Sequence, residues 1–505
     1  MSVFSVGVDS GTQSTKVVIV DADSGSVVAR GQAPHVMIAG LSGGASEQDP
    51  AVWIEAFRIA LREALRKSAF PPERIVALGV SGQQHGFVPV DRQGRVIRPA
   101  KLWNDTSTIS ETEAIIQALG GPRAFLDKAG LGLAVGFTAS KILWLKKNEP
   151  DHFRRLATVL LPHNYLNFFL TGIAHMEYGD ASGTGLMDVR ARTWRAEAVA
   201  AVDADLASKL PALSHPSDPV GFLKDGIAGE FGLGRVLVSS GGGDNMMGAI
   251  GTGNVSPGLC TVSLGTSGTI YSYFREPFFD SEGEIAAFCD STGGWLPLLC
   301  TMNVTNTTEL WKAVLGIDND GRDERAAQSP PGADGLVFLP FVDGERVPVL
   351  PEATAVFFGL NRANFNAPGM TRAVMEGTIL NLGYGFERLR ALGLRPREIR
   401  ATGGAAKSAF WLRLVADIFQ GPVITLEEPE AAAFGAALQA IWNWRKAKGE
   451  NIPISELTGA LVKTSGPPVE PDPKNGAVYR AVQAKFNSIW RALKPEFSTG
   501  RRASA

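Results

Sequence analysis

Cysteine is scarce in this chain of 505 residues, with three in all, at positions 260, 289 and 300. An odd number without paired spacing argues against a disulfide framework, and the six histidines form no cluster that suits zinc. Net charge is also small: 49 basic against 51 acidic residues leave a formal −2. No basic field therefore draws in nucleic acid. Long hydrophobic runs are missing too. Stretches such as Val17–Val20 and Leu156–Leu161 are far too short to span a bilayer, so no membrane role is expected. The N-terminus lacks the charged start and apolar core of a secretory signal, and a reduced, cytoplasmic protein is the expectation. No GxxxxGK[ST] loop occurs in the opening turn.

Hydrophobic residues make up 45% of the chain and charged residues 20%, a balance suited to two or three globular α/β domains. The 57 glycines fall repeatedly just after strand-like runs. The most telling stretch is Ser239-Ser240-Gly241-Gly242-Gly243-Asp244-Asn245, set between a short apolar strand and a helix that starts near Met246. Three glycines permit a sharp turn and close approach of a ligand. They would place Asp244 at the mouth of a strand–turn–helix, where open α/β sheets carry their sites. The simpler alternative makes Asp244 a helix N-cap. A cap alone does not require the three glycines.

At the start of the chain, Phe4–Asp9 and Lys16–Asp21 read as paired strands joined by Ser10-Gly11-Thr12-Gln13-Ser14-Thr15, with a third strand at Val27–Gly31. The N–H groups and hydroxyls of such a turn can hold phosphate oxygens, and Asp9 at its base can hold hydrated Mg²⁺. An ordinary hairpin is the plain alternative. A helix is expected from Pro50 to about Lys67, and the buried strand Ile75–Val80 then delivers Ser81-Gly82-Gln83-Gln84-His85-Gly86. Together with Trp103, Asn104 and Asp105, the amide of Gln84 and the imidazole of His85 suit a polyol. Amides and acids bond its hydroxyls, while an indole covers a C–H face.

After Asn254-Val-Ser-Pro-Gly258, a passage to a second lobe, the opening pattern returns. Leu259–Leu264, Gly265-Thr266-Ser267-Gly268-Thr269 and Ile270–Phe274 again read strand, hydroxyl-rich turn, strand. This suggests an internal duplication. Met370–Leu392 is a long amphipathic helix, and Gly403-Gly404 lies between a strand and a helix, where it could press against a nucleotide. Phe434-Gly435-Ala436-Ala437 reads as part of a tightly packed helix, and the chain from Phe497 as a polar tail.

Taken in order, these motifs resemble the FGGY carbohydrate kinases, and within them the xylulokinases. The resemblance runs from Asp9-Ser-Gly-Thr12 through Gly82–Gly86, Trp103–Asp105, Gly242–Asn245, Ser263–Gly268, Phe338–Pro340, Gly344–Arg346 and Gly403-Gly404 to Gly435. It implies two ribonuclease-H-like α/β lobes of the actin-like ATPase kind around a central cleft. Residues 1–253 would form a sugar-binding lobe, 254–490 a nucleotide-binding lobe and 491–505 a tail. It also implies an ATP-dependent, Mg²⁺-requiring phosphorylation of a ketopentose, with D-xylulose to D-xylulose 5-phosphate foremost. Ribulose, ribitol or glycerol as acceptor, or a silent actin-like binding protein, are the alternatives.

Carried onto this chain, Asp244 becomes the general base and Asp9 the Mg²⁺ residue. Thr12 and Lys16 fall near the β/γ-phosphates, Gly265 and Thr266 in a second phosphate turn, and Gly403, Gly404 and Ser408 in the nucleotide segment. Gln84, His85, Trp103, Asp244 and Asn245 match sugar-contacting positions. The neutral Gln84-His85 pair is what separates the chain from glycerol kinases. Ser10, Gln13 and His163-Asn164-Tyr165 depart from frequent family choices, and a homodimer is a further implication of the resemblance.

Overall fold

Valines alternate with small residues in the first strand, β1 (Phe4–Ser10), and that alternation sorts its two faces. Phe4, Val6 and Val8 enter a core with Trp53, Phe57 and Leu61 from the helix Pro50–Lys67. Ser5 and Gly7 face the helix Ala431–Ala447, where the Ser5 hydroxyl donates to the Ala437 carbonyl at 3.1 Å. The computed structural model describes residues 2–500.

The chain divides into two units. One comprises the chain up to Ser256 with Tyr273–Pro297 and Glu430–Lys463; the other comprises Pro257–Ser272, Leu298–Pro429 and the chain from Thr464. In the first unit, β1 is followed by the antiparallel strands β2 (Ser14–Asp21) and β3 (Val27–Pro34). On the other side of β1 lies β4 (Ile75–Gly82), parallel to it. Then come the short strands β5 (Gly221–Phe222) and β6 (Leu237–Val238), and β7 (Gly242–Gly243), which pairs with the end of β4. The sheet order is β5-β6-β4-β1-β2-β3.

The second unit is built on β8 (Leu259–Leu264), β9 (Gly268–Tyr271), β10 (Trp295–Thr301, the part from Leu298 onward belonging to this unit), β11 (Glu398–Thr402), β12 (Val423–Leu426) and β13 (Thr464–Val469). Within a seven-stranded sheet these six run β13-β12-β11-β8-β9-β10, and that order of six repeats the path of the first sheet. Directions repeat as well. In each, the opening hairpin is antiparallel, the next two strands inward are parallel, and the outermost strand is antiparallel. The expected duplication is thus present in topology. The long helix of this unit spans Ala367–Ala391, opened by the Asn366 side chain accepting from Gly369 N, and almost every residue from Thr371 to Phe386 is buried. The helix Pro473–Gly500 occupies most of the segment expected as tail; residues 501–505 lie outside the described residues.

Asp49 caps the helix Pro50–Lys67, its carboxylate accepting from Ala51 N at 2.9 Å, with Pro50 at the first position. The helix Asp244–Gly251 lies backbone to backbone on the helix Ala431–Ala447. A Cβ built at Gly435 would stand 1.8 Å from the Met247 carbonyl oxygen. Gly459, in the helix Ile454–Leu461, has nothing within 4 Å of the same point. Gly435→Ala is therefore expected to destabilise the protein by about 1–3 kcal/mol or more through overpacking. Gly459→Ala is expected to stabilise it by roughly 0.5–1 kcal/mol, because glycine inside a helix costs backbone entropy. Denaturant midpoints check both, and a neutral Gly435→Ala would contradict the close helix contact.

Candidate active site

Three neighbouring strand ends build the site. Because β1, β4 and β7 are parallel neighbours, Asp9 stands beside Ser81 and Ser81 beside Gly242; one residue on, Ser10, Gly82 and Gly243 repeat the row. Asp9 accepts from the Ser81 hydroxyl at 2.8 Å. Burial pushes its carboxyl up to about 6 against the lowering effects of Ser81 and Lys16, and Glu430 adds to the rise. Lys16, paired with Asp9 across the hairpin, carries its ammonium 2.6 Å from Glu430. The lysine expected at the phosphates is thus already engaged with a carboxylate, with about a third of its side chain exposed.

The glycine turn after β6 is fixed from several sides. Gly241 has φ +68, and a Cβ there would stand 2.4 Å from the Val80 carbonyl oxygen. The Gly241 N–H donates to Gln439 at 2.8 Å, and Asn167 donates to the Ser240 carbonyl at 2.8 Å. Gly243 presses on Gln84, whose Cγ would be 2.5 Å from an added Cβ. The N-cap position of the helix falls on Gly243, so Asp244 is the first helical residue and not the cap. Its Oδ1 accepts from the Asn245 N–H at 2.8 Å and the Asn245 side chain at 3.0 Å. Burial, then the charges of Asp9 and, after the Asn245 N–H bond, Asp180, act on this carboxyl, and it is pushed up to about 7. A carboxylate poised there is matched to proton transfer near neutral pH.

The polar loops of the first unit join this pair through side-chain amides. Asn245 donates to Gln84 at 2.7 Å, and Gln84 donates to the Met246 sulfur at 3.2 Å. The Thr12 hydroxyl accepts from the Trp103 indole at 3.0 Å and donates to Gln83 at 3.3 Å. Gln83 in turn donates to Gln48 at 3.1 Å, and Gln48 to the Thr12 carbonyl at 2.8 Å. One closed network therefore ties the first hairpin to the Gln84 and Trp103 loops. Gln48 and Gln83 are its working parts, and sequence reading singled out neither.

The other expected sugar residues differ in setting. Asn104 is exposed. Asp105 is fully buried, and its oxygens accept from Ser46 N, Lys101, Ser107 N and the Ser107 hydroxyl. Burial alone would raise its carboxyl, but these donors hold it below the usual range. The unusual loop His163-Asn164-Tyr165 also has a place: His163 is wholly buried, with Asp180 at 2.8 Å on Nδ1 and Asn164 at 2.8 Å on Nε2. Its backbone and Cβ fill the space beside Gly82, and its ring lies against Gly241. Among the described residues, no group of three or more Asp, Glu, His or Cys side chains is arranged to hold a metal ion. Asp9 offers hard carboxylate oxygen of the kind Mg²⁺ takes, one or two protein carboxylates being its usual complement beside phosphate and water.

In the second unit, Gly265 and Thr266 form the turn between β8 and β9. Gly265 N donates to the Ser267 carbonyl at 3.1 Å, as Gly11 N does to Ser14 at 3.1 Å in the first hairpin. Gly403 follows β11, which runs parallel to β8, and packs on the Leu264 backbone with φ +89. Ser408 caps the helix Ala409–Phe419 through Trp411 N at 3.3 Å and donates its hydroxyl to Asp323. That hydroxyl is committed on both sides.

Residues 4–251 match the N-terminal domain, and residues 261–444 the C-terminal domain, of the FGGY family of carbohydrate kinases. The chain is 44% identical over 444 residues to a xylulose kinase of Haemophilus influenzae, covering 86% of this chain and 90% of that protein. It is 32% identical over 497 residues to a xylulose kinase of Escherichia coli, covering 97% and 99%. The crystal structure of a xylulose kinase from Bifidobacterium adolescentis superposes with a TM-score of 0.82 at 32% identity, covering 95% of this chain and 99% of that one.

The raised carboxyl of Asp244 has a consequence for stability. Between its ordinary value of 3.8 and about 7 the folded chain holds a proton that the unfolded chain releases. Its contribution is therefore complete below the unfolded value and is lost as pH rises through the folded one. Asp244→Asn is expected to raise the melting temperature more at pH 8 than at pH 5. Equal gains at the two pH values would contradict the burial of this charge.

Proposed function

Because the chain belongs to the FGGY family of carbohydrate kinases, we propose that it transfers the γ-phosphoryl group of ATP to the terminal hydroxyl of D-xylulose, forming D-xylulose 5-phosphate and ADP. The observation that carries this reading is the position of Asp244. It lies at a strand end in the electrostatic reach of Asp9 and is joined through Asn245 to the amide of Gln84. The identity of the ketose is supported by the 44% identity to a xylulose kinase over most of the chain.

In this mechanism the ketose hydroxyl lies against Asp244. As its oxygen forms a bond to the γ-phosphorus, the bond from that phosphorus to the β–γ bridging oxygen breaks, ADP leaves and the hydroxyl proton passes to Asp244. Phosphoryl transfer of this kind depends on alignment and charge neutralisation more than on a strong base. A carboxyl near 7 is deprotonated in a useful fraction at neutral pH, yet holds a proton better than an ordinary aspartate. Mg²⁺, when bound, would neutralise charge on the phosphates, and Asp9, oriented by Ser81, is the residue that would hold it.

Gln84, His85, Trp103 and Asn245 are the sugar contacts in this reading. Asp105, its acceptor sites filled, serves by fixing the loop that presents Trp103 and Asn104. Thr12 orients the first phosphate turn through Trp103 and Gln83, and Lys16 acts there by its charge beside Asp9. The nucleotide is assigned to Gly265, Thr266, Gly403 and Gly404. A Cβ at Gly404 would meet nothing within 4 Å, so packing does not demand the glycine and a ligand face can approach it. Ser408 supports that segment as a helix cap. A cytoplasmic setting fits a kinase whose three cysteines are all free.

ADP release is expected to require Mg²⁺ and to rise most with D-xylulose in a panel of pentuloses, pentitols and glycerol. A panel in which another polyol drives turnover and D-xylulose does not would move the substrate while leaving the kinase assignment. Asp244→Ala is expected to lower kcat by roughly 10²–10⁴-fold, the range for losing a general base, with an unchanged far-UV spectrum. Full activity in that variant would remove the mechanism.

A further inference from the structure

His85 has a backbone conformation that needs explaining. Its φ is +60, in the left-handed region that side chains other than glycine rarely occupy. The carbonyl of this residue is gripped from the helix Thr138–Asn148. Lys141 Nζ donates to it at 2.7 Å, and the Thr138 hydroxyl, one turn earlier, donates at 3.2 Å. The imidazole is packed by Phe137 at 4.6 Å and Phe288 at 5.5 Å between ring centres. The Nδ1–Cε1 edge of the ring also abuts Gly183, where an added Cβ would stand 2.1 Å from Nδ1.

Lys141 is itself unusual. Its side chain is wholly buried, and its ammonium donates to two backbone carbonyls, of His85 and Gly136, with no carboxylate within ion-pair distance among the described residues. Burying a cation in this way is costly. Burial presses its ammonium down to about 7, against the pull of the more distant Asp105 and Asp180. A methionine would fill the same space without that cost, so the charge has work beyond packing.

We propose that Lys141 is a positioning residue for the sugar site: by holding the His85 carbonyl it fixes the left-handed turn and so aims the imidazole at the bound ketose. The proposal rests on the reading of His85 as a sugar contact. Without the clamp, the backbone at His85 relaxes toward the ordinary regions and swings the ring edge away from its place beside Gly183. Neither Asp244 nor the second unit takes part in this contact, so the effect falls on sugar affinity and not on the nucleotide.

A double-mutant cycle on the full-length enzyme tests this, with KM for D-xylulose and for ATP measured in the wild type, Lys141→Met, His85→Ala and the double variant. Lys141→Met is expected to raise the D-xylulose KM about tenfold, the factor carried by a left-handed conformer penalty. The KM for ATP stays unchanged. In the His85→Ala background the same change adds less than about twofold, because there is no ring left to aim. An equal penalty in both backgrounds makes Lys141 a brace of the fold and overturns the proposal. If His85→Ala alone leaves the D-xylulose KM unaltered, the sugar-contact reading falls first, and the two failures are told apart. Should Lys141→Met not fold, Thr138→Val removes the second donor to the same carbonyl. It is expected to raise the D-xylulose KM only while His85 is present, and a rise in both backgrounds, or in neither, overturns the proposal.

Discussion

Two carboxylates that repel each other are held together, and most of the first unit can be understood as the means of holding them. Asp9 and Asp244 each lose hydration, and the charge of Asp9 adds to the strain on Asp244. Left to themselves, such groups would separate or take up protons. Here they cannot separate, because Asp9 stands on a strand and Asp244 directly follows one, and both strands pair in parallel with β4. The surrounding polar groups set how far the repulsion goes. Ser81 donates to one acid, Asn245 to the other, and the Lys16–Glu430 pair supplies a positive charge whose own counter-ion limits its effect. The pair is a local excess of negative charge, and any proton or positive charge brought near it is held more tightly than on an ordinary aspartate.

The same economy runs through the glycine turn. Its amide is held by Gln439, which also donates to the carbonyls of Gly241 and Ser291 at 3.2 Å each. A side chain from a late helix thus sets the angle of a turn made two hundred residues earlier. The unusual His163-Asn164 pair acts alongside it, filling the space beside Gly82 and Gly241 while Asp180 and Asn164 engage its ring. Ser10, another departure from the family pattern, has a buried hydroxyl that accepts from Thr15 at 3.2 Å. Both departures are satisfied internally.

Much of this was legible in the residue order. Period-two alternation marked the strands, Asp49-Pro50 marked a helix start, and three glycines before an acid marked the turn. The repeated hairpin at Leu259–Tyr271 foretold a sheet that copies the first. What sequence could not give was pairing across large separations. Lys16 reads as a free phosphate lysine until Glu430 is seen beside it, and Asp105 reads as a sugar acid until its four donors are counted. Gln48, Gln83 and Lys141 look like any polar residue on a helix, strand or loop, because their function lies in what a distant group needs. Local pattern reveals which groups are present; only packing reveals which are already spent.

The helix Ala431–Ala447 lies on strands β1 and β4, with Ser5 bonded to it and the small residues of β1 turned towards it. A ribosome releases those strands some four hundred residues before it releases their cover. Until then one face of the opening sheet is bare, its glycines and the Ser5 hydroxyl in water. A sheet made early is therefore among the last parts to be finished, and a nascent chain halted short of Glu430 carries an open sheet that a chaperone or a neighbouring chain can occupy.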